Sequence, residues 1–448
     1  MSVVITYGTF DHFHEGHRRL LERAKQLGDY LIVGVTSDSF DQLRGKINVE
    51  QSLMERIKNV EDSHLADEII IEEYEGQKID DIKKFHVDIF AVGSDWTGKF
   101  DYLSSYCKVV YLERTIGISS TDIRSIEKPV RIGVIGDHHL CTKFSREAFC
   151  VNGICLSSYC DEEGEHPIEG VKRVRNYDDL LQCSDAVYVA SSPFNHYAYI
   201  KKALEKEKHV LCESPITLSS AEYRDLIDLA DQKHLVLMDG IKTAYSIAYC
   251  RLLLMVKAGV VGDVVSIDST STSLRTFEEN RNWPNYCFWC PTDLLPILQI
   301  FGTDYVESKI VIKPSRQNSR FDDFTKITLD YRYSTATCKS GSGFKSEGDL
   351  VISGNKGYIY VPSPWWKTDY FEIRYENQSE NKKIFYPLDG EGIRQEILTF
   401  YRSIKEGVCI SNIDRNVSQS IVSLLERIYN NRGVYELTER NQHEQNLR

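Results

Sequence analysis

Two histidines three residues apart, His14 and His17 with Gly16 between them, follow the run Tyr7-Gly8-Thr9-Phe10-Asp11 near the start of the chain. The strand-like stretch Val3–Thr6 precedes them and a helical pattern from Arg18 to Leu27 follows. Imidazoles at the mouth of a helix suit the holding of phosphate while charge moves across it. The helix start adds N–H donors and a partial positive charge. Gly16 lets the backbone come close. A second block, Arg114-Thr115-Ile116-Gly117-Ile118-Ser119-Ser120-Thr121, follows the strand-like run Val109–Leu112 and opens another helical pattern. An arginine forks onto phosphate oxygens. Ser119, Ser120 and Thr121 can cap the helix or donate to a phosphate chain. Either block alone also fits two surface histidines or a plain cap.

Placing these groups requires a layered α/β unit. Residues 1–128 alternate strand and helix, with strands at Val3–Tyr7, Tyr30–Val35, Glu68–Ile71, Ile89–Val92 and Val109–Leu112. That pattern predicts a parallel sheet in a Rossmann-like nucleotidyltransferase domain. Glu127-Lys128-Pro129 reads as a linker, because proline ends the helix before it. A second Rossmann-like domain is expected over 130–244, starting with Val130–Gly136. From 245 to 436 strands rich in Val, Ser, Thr and Tyr predict an α+β domain with a broad, mainly antiparallel sheet. The overall class is α/β.

The 448 residues are too many for one core. A formal net charge of −12 argues against general nucleic-acid or anionic-membrane partners. No run of about 18 apolar residues would span a membrane, and the amino-terminal residues read as a first strand, not a signal peptide. The 12 cysteines are scattered in element-like runs, as buried thiols of a reducing, cytoplasmic compartment would be. Cys287-Phe-Trp-Cys290 lacks the second pair a zinc site wants, so no metal centre is expected.

Residues 1–126 resemble the cytidylyltransferase family, of the glycerol-3-phosphate type. The pieces that match are Gly8-Thr9-Phe10-Asp11, His14-x-Gly16-His17, Leu21 to Asp29, Gly93-Ser94-Asp95-Trp96 with Gly98 to Asp101, and the Arg114 block. The resemblance implies transfer of CMP from CTP to a phosphorylated alcohol, with release of pyrophosphate and a magnesium ion on the triphosphate. His14 and His17 would act at the reacting phosphorus, with Thr9, Phe10 and Gly16 beside the phosphates. Asp11 would orient the phosphate region or a metal, or else stabilise the turn. Asp95 and Trp96 would lie near cytosine and ribose. Arg114 and Ser119–Thr121 would take the outer phosphates. Lys46 resembles a mobile lysine that reaches the phosphates, and Arg56 an arginine that binds nucleotide or substrate phosphate. His64 stands where the family has an arginine toward the acceptor, which suggests an altered acceptor such as a longer polyol or sugar phosphate. The product would feed a capsule or teichoic-acid-like polymer.

Residues 130 to about 440 resemble the Gfo/Idh/MocA oxidoreductase family. The cues are Val187-Tyr-Val-Ala-Ser-Ser-Pro193 with His196, Glu213-Ser214-Pro215, Gly259 to Val264, Gly354 to Ile359 and Asp389-Gly390-Glu391-Gly392. The resemblance implies NAD(P), but three features depart from it. Gly136 keeps the first fingerprint position while His138 and Cys141 replace the other glycines. Ser214 replaces the family lysine, and Phe288 and Thr292 stand where its acid and histidine belong. Gly136, Asp161 and Glu213 then read as a vestigial dinucleotide site, with Lys242 as a substitute cation or a surface lysine. The expectation is a cytidylyltransferase carrying a non-catalytic module and forming a homo-oligomer, as both families commonly do. The alternatives are a bifunctional enzyme whose second half makes the polyol phosphate, and a binding or scaffold protein.

Overall fold

The computed structural model describes residues 2–437 apart from 44–48, 50, 75, 114–127, 161–167, 276–282, 317, 319–320 and 387. The chain forms two compact units, one built on residues 1–129 and the other on the chain from Val130 onward.

The first unit runs β1 (Val3–Gly8), α1 (Glu15–Lys25), β2 (Tyr30–Thr36), α2 (Asp38–Leu43), α3 (Leu53–Asp62), β3 (Glu68–Glu72), α4 (Gln77–Lys84), β4 (Ile89–Gly93) and β5 (Lys108–Leu112). Its parallel sheet has the order β3-β2-β1-β4-β5. The interior of β1 is buried because Val4 and Ile5 feed opposite cores. The first core takes Leu21 and Ala24 of α1, which lie three apart on one helix face. A capping box starts α3: Ser52 accepts from the Glu55 amide, and Glu55 accepts from the Ser52 amide. β2 and β4 flank β1 on opposite sides, so the strand order reverses beside the carboxyl end of β1. Open α/β sheets bind ligands at such a point.

The second unit begins with β6 (Val130–Gly136), α5 (His138–Ala148), β7 (Ile154–Cys160), α6 (Tyr177–Cys183), β8 (Ala186–Ala190), α7 (Pro193–Glu205), β9 (His209–Glu213), α8 (Ser220–Gln232) and β10 (Leu237–Gly240). These strands form a parallel sheet of order β10-β9-β8-β6-β7. Then come α9 (Ile247–Lys257), β11 (Val264–Ser273), α10 (Asn285–Phe301), β12 (Glu307–Pro314), β13 (Asp322–Asp330), β14 (Thr335–Ser342), β15 (Leu350–Gly354), β16 (Tyr358–Val361), β17 (Tyr370–Arg374) and β18 (Lys382–Phe385). Helices α11 (Ile393–Glu406) and α12 (Arg415–Tyr429) and the strand β19 (Val434–Glu436) close it. The second sheet has nine described strands, ordered β18-β17-β16-β15-β11-β14-β13-β12-β19. It is mixed and mostly antiparallel, with β11–β14 and β12–β19 parallel.

Helix α10 lies on this sheet and carries Asp293, which has no exposed surface. Asp293 Oδ1 accepts from Ser269 Oγ (2.9 Å), Ser271 Oγ (2.7 Å) and Trp365 Nε1 (3.2 Å). Burial pushes its carboxyl up to about 7 against those three hydrogen bonds. The protonated acid is therefore the form the fold favours. The stability linked to it is fully present below the unfolded value of about 3.9 and is lost as pH rises through about 7. Asp293→Asn keeps the shape and removes the ionisation. It is expected to melt above the parent protein at pH 8, by at most about 4 kcal/mol in stability, with the advantage gone near pH 4. Parallel melting curves across that range would contradict this.

Candidate active site and a second cavity

Helix α1 begins at His14, whose backbone is extended (φ −126°, ψ 173°). Its Nδ1 accepts from the amides of Gly16 (3.0 Å) and His17 (3.3 Å), so the ring itself is the N-cap. This corrects the expectation that those amides are kept for phosphate. With Nδ1 as acceptor, the proton of a neutral ring sits on Nε2, making that atom the donor. His17 stacks on His14 with ring centroids 3.8 Å apart and planes 15° from parallel. The Phe10 ring abuts His17 edge-on at 5.3 Å and Phe13 flanks it at 5.8 Å. Phe10 is 1% exposed and left-handed (φ 56°), so its side chain turns inward and backs the imidazole pair.

Arg56 is held differently from the phosphate-binding expectation. It is fully buried and projects from α3 under the loop after β1. Nη1 donates to the carbonyls of Thr9 (2.7 Å) and Thr36 (2.8 Å), and Nε to Gln51 (3.1 Å). Nη2 pairs with Asp38, and Asp41 lies 3.7 Å from Nη1. Thr9 Oγ1 donates to Asp41 Oδ1 (2.9 Å). Asp11, 1% exposed, accepts the Gln51 amide at 3.0 Å. Arg56, Thr9, Asp11 and Asp41 thus form one clamp that fixes the loop carrying the histidines.

Asp95 and Trp96 follow β4, at the same carboxyl edge of the sheet as the loop after β1. Lys99 Nζ stands 5.0 Å from the centre of the Trp96 ring. His64 is elsewhere. It is an exposed, left-handed residue (φ 57°) after the carboxyl end of α3, where the chain enters β3. That is the amino-terminal edge of the sheet, a strand length of roughly 15–20 Å from the other edge. The structure does not bring His64 to the imidazole pair. Lys46, Arg114, Ser119, Ser120, Thr121 and Asp161 lie outside the described residues.

Sequence reasoning missed a buried polar network beneath β1. Tyr7 donates to Asp81 (2.9 Å), Lys78 pairs with Glu72, and Thr36 Oγ1 donates to Glu72 (2.9 Å). The signal was available: Lys78 and Asp81 occupy the apolar face of α4 beside Ile82.

In the second unit a cleft of about 1410 Å³ opens at the carboxyl ends of β6, β8 and β9, lined in part by Gly136, Asp137, His138 and Glu213. A Cβ on Gly136 (φ 124°) would lie 2.2 Å from the Ala190 backbone, so glycine serves strand packing there. The start of α5, where a dinucleotide's pyrophosphate would sit, is capped by the chain's own acid: Asp137 accepts the Leu140 amide at 2.9 Å. A carboxylate at that helix start repels pyrophosphate and takes one of its donors, and His138 supplies a side chain where a glycine would allow approach. These residues do not fit a dinucleotide bound in the usual way. Glu213 accepts from the buried Tyr188 hydroxyl, whose titration burial and Glu213 push far up. Phe288 and Thr292 line the cleft, and so does Lys242. Asp293 is sequestered against the sheet.

A family model described as cytidylyltransferase-like matches residues 5–126, and one described as an oxidoreductase family with an NAD-binding Rossmann fold matches 132–241. The glycerol-3-phosphate cytidylyltransferase of Bacillus spizizenii is 52% identical over 124 residues, spanning 28% of this chain and 95% of that protein. The enzyme of the same name from Staphylococcus aureus is 47% identical over 124 residues, spanning 28% of this chain and 93% of its own length. Among solved structures, KijD10, a 3-ketoreductase from Actinomadura kijaniata in complex with NADP and TDP-benzene, aligns with a TM-score of 0.62 at 18% identity. That alignment covers 69% of this chain and 99% of that one, a likeness of fold. No described helix is long and apolar enough to cross a membrane.

Proposed function

The chain belongs, through its first unit, to the cytidylyltransferase-like family, and we propose that it transfers CMP from CTP to a phosphorylated alcohol, releasing pyrophosphate. The observation that carries this reading is the stacked His14–His17 pair on a helix start at the reversal of strand order. The acceptor is glycerol 3-phosphate or a related polyol or sugar phosphate. Its phosphate is already ionised at neutral pH, so no strong base is needed. An acceptor oxygen attacks the α-phosphorus, that bond forms as the bond to pyrophosphate breaks, and no covalent enzyme intermediate arises. Catalysis is positioning and charge stabilisation.

In this reading His14 Nε2–H and the His17 ring donate to the oxygens that gain charge at the α-phosphorus and on the leaving pyrophosphate. Lys46, Arg114, Ser119, Ser120 and Thr121 take the outer phosphates, and Asp95 and Trp96 the nucleoside. The magnesium ion accompanies the triphosphate as part of the substrate. Arg56 and Asp11 position the loop. The second unit, read as two domains over 130–244 and 245–436, is a ligand-binding module without redox turnover, and the Asp137 cap supports that. Cytoplasmic location, self-association, the absence of nucleic-acid partners and supply of CDP-alcohol to surface polymers belong to the same reading. The test is pyrophosphate release from CTP with a panel of phosphomonoesters. Acceptor-dependent release is expected; no release with any acceptor would refute the reading. Oxidation of NADH or NADPH by keto-sugar phosphates would instead support a bifunctional enzyme.

A further inference from the structure

The cleft of the second unit carries a cluster of lysines along its wall. The carboxylate of Glu391 accepts hydrogen bonds from two ammonium groups, those of Lys242 and Lys367 (2.6 Å for the latter). The loop that presents it is constrained, since a Cβ on Gly392 (φ 88°) would lie 2.2 Å from the Lys242 carbonyl. Burial opposes ionisation of Glu391, and Lys242, Lys367 and Lys143 outweigh it and hold its carboxyl at about 2. Lys143 Nζ stands 3.8 Å from the same carboxylate, so one negative charge serves three positive ones that all line the cleft. Lys345 also lines it, and its ammonium donates to the uncharged Thr272 carbonyl at 3.3 Å. Five cationic side chains line the cleft, Lys143, Lys242, Arg275, Lys345 and Lys367, against the two acids Asp137 and Glu213. Around these cations the wall is aromatic: the Trp289 and Trp366 rings meet edge to face at 4.8 Å.

Surplus ammonium groups attract a dianion with three acceptor oxygens, which describes a phosphate monoester near neutral pH. The space far exceeds a lone phosphate ion, so the ligand carries a body, and indole surfaces suit the C–H faces of a carbon chain or ring. We infer that this cleft binds the phosphomonoester of a polyol or sugar, with its phosphate on Lys242, Lys367 and Lys345 and its carbon body against Trp289 and Trp366. The site is separate from the chemistry of the first unit, and its occupancy is read without CTP. Failure of cytidylyl transfer and failure of this binding are therefore distinct results.

The test titrates the full chain with glycerol 3-phosphate, ribose 5-phosphate and glucose 6-phosphate, using glucose and NADP⁺ as contrasts, and follows tryptophan fluorescence and calorimetric heat. At least one ester is expected to bind saturably while glucose does not. The double variant Lys242→Met/Lys367→Met should weaken that ester roughly tenfold or more. Lys242→Arg should retain affinity within about threefold, because it keeps the charge. Should the double variant lose its fold, Lys345→Met and Trp289→Leu, each expected to weaken binding, replace it. Absence of saturable binding by every ester, unchanged affinity in the lysine and Trp289 variants, or tight NADP⁺ binding that the esters fail to displace would each overturn the proposal.

Discussion

His17→Ala is expected to lower turnover of CTP with its acceptor by about 10²–10³-fold, the loss typical when one preorganised donor to a developing anion is removed. The fold should survive. His17 lies in the first turn of α1, and its ring contacts include His14, Phe10 and Phe13. His14 needs a finer experiment because it has two duties. His14→Ala should lose both turnover and the helix cap, at about 0.5–2 kcal/mol for the cap. His14→Asn restores a capping oxygen without the Nε2 donor. Its stability should recover while turnover stays low. Recovery of turnover along with stability would mean that His14 acts only as a cap.

The second large effect falls on stability. Arg56→Ala removes a cation from beside the buried Asp41 and frees the carbonyls of Thr9, Thr36 and Gln51. Breaking a buried charge arrangement from one side costs about 3–5 kcal/mol. Arg56→Lys keeps the charge but cannot fork to three carbonyls and two carboxylates, so it should also destabilise. Denaturant titration reads this directly. A phosphate-binding arginine would behave otherwise: both variants would keep their midpoints and raise KM. Stability within about 1 kcal/mol of the parent would contradict the clamp.

The sheet and its layers were legible because β1 to β5 are short apolar runs separated by helix-length polar segments, a pattern few other folds produce. That the two imidazoles share a face was legible from their spacing on a helix start, while their role rested on the Arg114 block and the family resemblance. What spacing could not reveal was which atoms are already taken. His14 Nδ1 caps its own helix, and Asp137 closes the start of α5, because short polar side chains compete with ligands for the same backbone donors. Arg56 differs from its expected role for a related reason. A charged residue on the buried face of a helix reads as a ligand contact until its partners, distant in sequence, are seen. His64 lies at the opposite edge of the sheet from the imidazole pair. Sequence order places it after α3 but does not say which edge of the sheet that helix delivers it to.

In the proposed reaction an acceptor phosphate oxygen displaces pyrophosphate from CTP in one step at the His14–His17 pair. The direct test is a ³¹P NMR time course with CTP and an acceptor whose non-bridging phosphate oxygens are ¹⁸O. The expected products are a CDP-alcohol with ¹⁸O in the diphosphate bridge and equimolar unlabelled pyrophosphate. An unlabelled bridge, labelled pyrophosphate or hydrolysis of CTP without a coupled product would contradict that reaction.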